Sequence, residues 1–217
     1  MTTELLIFDL DGTLIDSKRD LVDSVNATRG WAGLPALPDE LVASYVGNGA
    51  PVLIQRAFPD ATAADHGRYL SYFLDYYREH MLDATALYPG VREALDELHA
   101  ADVAMAVLTN KPVRFSIRLL EGLDLETHFF RVYGGNSFEE KKPHPLGIRL
   151  LMEESGAGTA ATMMVGDSAV DVLTARNAGV RACGVSWGFQ PETFANAPPD
   201  LIIDDMRALA KMVIGRE

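Results

Sequence analysis

Cysteine is almost absent from this sequence: Cys183 stands alone among 217 residues. No intrachain disulfide can form, and no cysteine cluster for zinc exists. Its neighbours, Val180-Arg181-Ala182 before it and Gly184-Val185 after it, suit a small buried filler better than a nucleophile. Long apolar runs are missing too. No stretch reaches the ~20 apolar residues that a membrane-spanning helix needs. Nor does a basic segment precede an apolar one near Met1, as in a secretory leader. A cytoplasmic protein with no membrane attachment is the expectation. Basic residues are scarce, Lys+Arg 19 against Asp+Glu 31, and the net charge of −12 argues against a broad nucleic-acid-binding surface. A small anion needs only a local positive site, so that class of partner stays open.

What is present is enough apolar material, 48% of residues, to build a real core. Apolar runs recur at Leu5–Phe8, Val103–Leu108, Phe130–Tyr133, Thr162–Val165, Val180–Val185 and Leu201–Ile203. Helix-like segments at Pro112–Glu121, Pro143–Ser155 and Ser168–Ala178 separate the later ones. That alternation predicts an α/β fold with a parallel sheet covered on both faces. Gly122, Gly156 and Gly179 follow three of these helices, where a left-handed terminating residue is expected. From Lys18 to His80 the rhythm breaks, with no good strand. Tyr69, Tyr72, Phe73 and Tyr76 fall at i, i+3, i+4 and i+7, one stripe on a helix, and core packing is the expected role of that stripe. The division that follows is a core of residues 1–16 and 84–217, with a helical insertion over 17–83 acting as a lid above the first strand's end.

The chemistry concentrates where strands end. Asp9-Leu10-Asp11-Gly12-Thr13 directly follows Leu5–Phe8, so two carboxylates stand one residue apart at a strand's exit. Close carboxylates repel and are tolerated best around a cation. In open parallel sheets, ligands bind beyond the carboxyl ends of the strands. The other runs end in reactive side chains as well: Thr109-Asn110-Lys111-Pro112 after the second, and Gly166-Asp167-Ser168 with Asp171 after the fourth. Lys141-Lys142-Pro143-His144-Pro145 lies between them. Each piece has a bland reading as a turn, a helix cap or a solvated loop. Their shared position at one sheet edge favours phosphoryl transfer.

In that reading Mg²⁺ is held by the carboxylates of Asp9 and Asp167 and the backbone carbonyl of Asp11. Asp9 is the nucleophile, Asp11 the acid and base, and Thr109 and a lysine neutralise phosphate oxygens. Backbone amides after Asp9, Gly12 among them, and the amide of Asn110 complete a cradle. Ser168 and Asp171 support it from behind. The residues alone do not choose between Lys141 and Lys142.

These motifs resemble those of the haloacid dehalogenase superfamily: Asp9-Leu10-Asp11-Gly12-Thr13-Leu14-Ile15-Asp16-Ser17, then Thr109, Lys142-Pro143, and Gly166-Asp167-Ser168 with Asp171. The resemblance implies a Rossmann-like core with an inserted cap, an aspartyl-phosphate on Asp9, and Lys142, directly before proline, as the lysine in the site. Asp11 favours phosphate esters over carbon–halogen bonds. Within the superfamily the chain is most similar to the phosphoglycolate phosphatase branch, through Val46-Gly47-Asn48-Gly49-Ala50, Tyr88-Pro89-Gly90-Val91, Thr109-Asn110-Lys111-Pro112 and Lys141-Lys142-Pro143-His144-Pro145. Asn48 and Gly49 are then expected in a cap loop closing on a small substrate. Lys18, Arg19 or Arg56 are candidate partners for that substrate's carboxylate. Other small phosphate esters, a phosphosugar mutase and a phospho-accepting signalling module are the alternatives, and monomer or homodimer is expected.

Overall fold

The computed structural model describes residues 3–215. Its centre is a six-stranded sheet made of β1 (Leu5–Phe8), β4 (Ala104–Leu108), β5 (Arg131–Tyr133), β6 (Thr162–Gly166), β7 (Arg181–Val185) and β8 (Leu201–Ile203). The spatial order is β5-β4-β1-β6-β7-β8, with every pairing parallel. Parallel neighbours need crossovers, and the crossover helices bury both sheet faces. Leu5, Leu6, Ile7 and Phe8 are therefore all fully buried. Leu6 and Phe8 face one apolar cluster with α5 (Val91–Ala100), α6 (Val113–Gly122) and α9 (Met206–Ile214). Leu5 and Ile7 face the other, with α7 (Leu146–Ser155) and α8 (Ala169–Ala178). Cys183 lies inside the first cluster, where burial pushes its thiol up to about 12, in keeping with the filler expected.

The strand register positions the site. Phe8 is level with Val107 on one side and Val165 on the other. Asp9, Thr109 and Asp167 consequently leave the sheet at the same edge, within two residues of that line. The chain passes from β1 to β4 on one flank and later returns to β6 on the other, so the edge above β1 is a switch point where a crevice opens.

Between β2 (Ile15–Asp16) and its antiparallel partner β3 (Ala86–Leu87) lie α1 (Lys18–Trp31), α2 (Asp39–Ala43), α3 (Ala50–Ala57) and α4 (Ala63–His80). The two-residue strands β2 and β3 carry no sequence signature and went unexpected. Asp20 ties this junction: its carboxylate accepts from Ala84 N (3.0 Å), Thr85 N (2.8 Å) and Thr85 Oγ1 (2.7 Å).

Two local expectations need correction. Gly156 and Gly179 do cap their helices at φ 77° and 76°, but Gly122 is the last residue of α6. Asp124 takes the left-handed position instead, at φ 51°. A Cβ on Gly122 would lie 2.4 Å from Leu82, so that glycine serves a close approach. The aromatic stripe of α4 is also split. Phe73 is buried together with Tyr77, which stacks on it. Tyr72 and Tyr76 are half-buried and stack in a ladder with Trp31 and His80. Tyr69 packs on Phe58.

Candidate active site

Three carboxylates converge at the switch point. Oxygens of Asp9, Asp167 and Asp171 lie within 4.8 Å of one another, and all three residues are buried. Among the described residues one ammonium joins them: Lys142 Nζ is 2.9 Å from Asp9 Oδ1 and 2.7 Å from Asp171 Oδ1. Burial, opposed by Lys142, pushes the Asp9 carboxyl up to about 6. Burial and the charges of Asp171 and Asp9 hold Asp167 well above the usual carboxylate range. Lys142 responds the other way: burial works against its charge, yet Asp171 and Asp9 outweigh burial and keep it protonated.

The sequence fits this cluster together through small residues. A Cβ on Gly12, whose φ is +81°, would lie 2.2 Å from Asp167 Oδ2, and one on Gly188 would lie 2.1 Å from Asp167 Cβ. A Cβ on Gly166 would meet the Asp171 carboxyl at 2.2 Å. Phe189 N donates to Asp167 Oδ2 at 2.6 Å, and Trp187 Nε1 donates to Thr13 O at 3.2 Å, so the loop after β7 backs the acids. Ser168 caps α8, its hydroxyl 2.8 Å from Asp171 Oδ2. Ser168 thus lies behind Asp171, while Asp171 stands inside the acidic group itself.

Asp11 points elsewhere. Lys111 Nζ lies 3.0 Å from each of its carboxylate oxygens, and Ser17, at the N-cap of α1, donates its hydroxyl to Asp11 instead of capping the helix. Any share of Asp11 in holding an ion falls to its carbonyl. Its carboxylate opens onto a cavity of about 50 Å³, whose wall also carries Asp9, Thr109, Asn110 and Lys111. The opposite wall comes from the helical insertion and includes Gly47, Gly49, Leu53, Phe73 and Tyr77. A space this size holds a few water molecules, and so a compact ligand.

Several expected binding residues are placed differently. Gly12 offers no free amide, because its N–H donates to Ile15 O at 2.9 Å; its work is to make room for Asp167. Asn48 is half-buried and off the cavity wall, which its glycine neighbours line. Lys142 is the lysine within the acidic group, whereas Lys141 is exposed near Gly49. Asn110 lines the cavity and latches the insertion to the core, its amide donating to Gly47 O (3.0 Å) and Lys142 O (3.1 Å). Gln190 adds a second latch to Ser44 O and Val46 O. The cationic candidates lie away: half-buried Lys18 pairs with exposed Glu40 and exposed Arg19 with half-buried Asp23, and Arg56 lines a separate cavity among the helices. Lys111 and Tyr77 were missed as site residues. Lys111 reads as part of a helix-start segment, and Tyr77 adjoins the stripe without belonging to its chosen spacing.

Residues 6–185 match the family model of the haloacid dehalogenase-like hydrolases. The chain belongs to that family. A phosphoglycolate phosphatase of Vibrio parahaemolyticus is 39% identical, over 97% of this chain and 96% of its own length. One from Pseudomonas fluorescens is 41% identical over 94% and 78%. The crystal structure of a predicted phosphoglycolate phosphatase from Haemophilus somnus superposes with a TM-score of 0.93 at 33% identity, covering 98% of both chains. The family fold is thus shared over nearly the whole chain, the helical insertion included.

Proposed function

We propose that this hydrolase cleaves small phosphate monoesters through a phosphorylated Asp9, and that 2-phosphoglycolate is its substrate. The observation that carries the reading is the Asp9 carboxylate at the meeting point of two environments, the acidic group with Lys142 and the compact cavity with Asp11. Relatives named as phosphoglycolate phosphatases over the same length support the substrate.

Three buried carboxylates against one ammonium form a site for a divalent cation with oxygen ligands, and Mg²⁺ suits a cation that also meets substrate phosphate. Asp9, Asp167 and Asp171, with the Asp11 carbonyl, are the groups to hold it. When bound, the ion neutralises charge on the transferring phosphoryl group. An Asp9 oxygen attacks phosphorus while the ester oxygen leaves with a proton from Asp11, producing glycolate and an aspartyl-phosphate. Water then attacks phosphorus, Asp11 takes its proton, and phosphate departs as the Asp9 carboxylate is restored. Thr109 and Lys142 meet non-bridging oxygens. Residues 17–83 act as a cap over residues 1–16 and 84–217, excluding bulk water through the Asn110 and Gln190 latches.

The test is phosphate release from a panel of small phosphate esters, with Mg²⁺ and with EDTA. A standout kcat/KM for 2-phosphoglycolate that EDTA abolishes is expected. Metal-dependent activity spread evenly over the panel overturns the substrate, and no hydrolysis overturns the reaction.

A further inference from the structure

The cavity beneath the helical insertion carries one cation on its wall among the described residues: Lys111. Its side chain is 6% exposed, and Nζ sits 4.5 Å from the centre of the Tyr77 ring. An ammonium has three N–H groups in a tetrahedral arrangement. Contacts at 3.0 Å to both Asp11 oxygens engage at most two of them. The other lysine nearby cannot serve the same end of a ligand, because Lys142 is clamped between Asp9 and Asp171. The three cations that the sequence offered for a second anionic group lie elsewhere.

We infer that Lys111 is the specificity-determining residue that binds the carboxylate of the substrate, with Tyr77 of the insertion closing over it. The inference rests on the phosphatase reading and deepens it. A phosphoryl group at Asp9 sends its leaving oxygen towards Asp11, and in 2-phosphoglycolate the carboxylate begins two bonds further on. Lys111, next beyond Asp11, is the donor in reach. A carboxylate arriving there takes the remaining N–H and draws the ammonium away from Asp11, which leaves an Asp11 oxygen free to face the leaving group. Substrate recognition and presentation of Asp11 become one rearrangement. Esters without a carboxylate leave Asp11 paired to Lys111, so the site selects for an acidic ester on KM and kcat together.

The experiment compares 2-phosphoglycolate with ethyl phosphate, which lacks only the carboxylate function, in wild type, Lys111→Met and Lys111→Gln. The expected wild-type preference in kcat/KM for 2-phosphoglycolate falls by about 10- to 100-fold in both variants, the worth of a charge-assisted hydrogen bond. An unchanged melting temperature shows that each variant is folded. A preference that survives in both variants overturns the role of Lys111 and leaves the phosphatase reading intact. Loss of activity on both esters equally, with an unchanged melting temperature, overturns it too and makes Lys111 a positioning residue for Asp11. A wild type that prefers a different carboxylated ester over its carboxylate-free analogue, and loses that preference in the variants, supports Lys111 while overturning 2-phosphoglycolate. A wild type blind to the carboxylate overturns both.

Discussion

Asp20 and the acidic group above β1 are both buried, and the protein treats them in opposite ways. Asp20 is 3% exposed and receives hydrogen bonds from two backbone amides and a hydroxyl at the junction between the insertion and β3. Every donor is neutral and satisfied by that carboxylate. Asp9, Asp167 and Asp171 are equally buried but crowd one another, with Lys142 as their shared ammonium. A carboxylate satisfied by amides joins two pieces of chain. Carboxylates pressed together without enough counter-charge store unfavourable energy that a cation can relieve. The difference in donors, rather than in burial, separates Asp20 from the acidic group.

The sharpest way to break this comparison is Asp9→Asn. Phosphate release is expected to fall by about 10³-fold or more, with the fold retained because the substitution removes a repulsive charge. Near wild-type turnover would place the nucleophile elsewhere. Next is the response to Mg²⁺: thermal unfolding of chelator-treated protein should shift upward on adding the ion, by about 2.7 kcal/mol of stability at 100 times its dissociation constant. Asp167→Asn should blunt that shift and Asp20→Asn should leave it intact.

Asp20→Ala tests the other side of the comparison. It strands the Ala84 and Thr85 donors, and urea unfolding should show a loss of about 2–4 kcal/mol. The last effect concerns pH. Asp9 in the folded protein titrates near 6, against an ordinary 3.8, so the folded state holds the proton more tightly than the unfolded chain. Its contribution to stability is present below the ordinary value and is lost as pH rises towards 6. In metal-free protein, the melting temperature of wild type relative to Asp9→Asn should decline across that window; a flat difference would contradict the crowding.

Much of the site was legible in the sequence because strand ends are written in short local patterns. Leu5–Phe8 followed by Asp9-Leu10-Asp11-Gly12 carries strand, breaker and carboxylates within eight residues, and parallel pairing brings Thr109 and Asp167 to the same edge. Gly12 was legible as a turn residue, but its contact with Asp167 was not, because that contact joins residues distant in sequence. Asn48 stood out by its place between two glycines, yet the glycines rather than its side chain reach the cavity. The surface cations Lys18, Arg19 and Arg56 were as plausible as Lys111 by residue type. Only burial distinguishes them, and burial is a property of packing.

The sequence by itself determined the α/β class, the order of the strands along the chain, and which strand ends bear acids, a hydroxyl and lysines. Those follow from period, turn chemistry and residue type, all local. The tertiary structure decided which acids meet: Asp171 joins Asp9 and Asp167, while the Asp11 carboxylate turns to Lys111 and Ser17. It also selected Lys142 over Lys141 and brought Tyr77 over Lys111. Side-chain partnership depends on rotamers and close packing between segments far apart in sequence, and a linear pattern does not encode the distances that settle it.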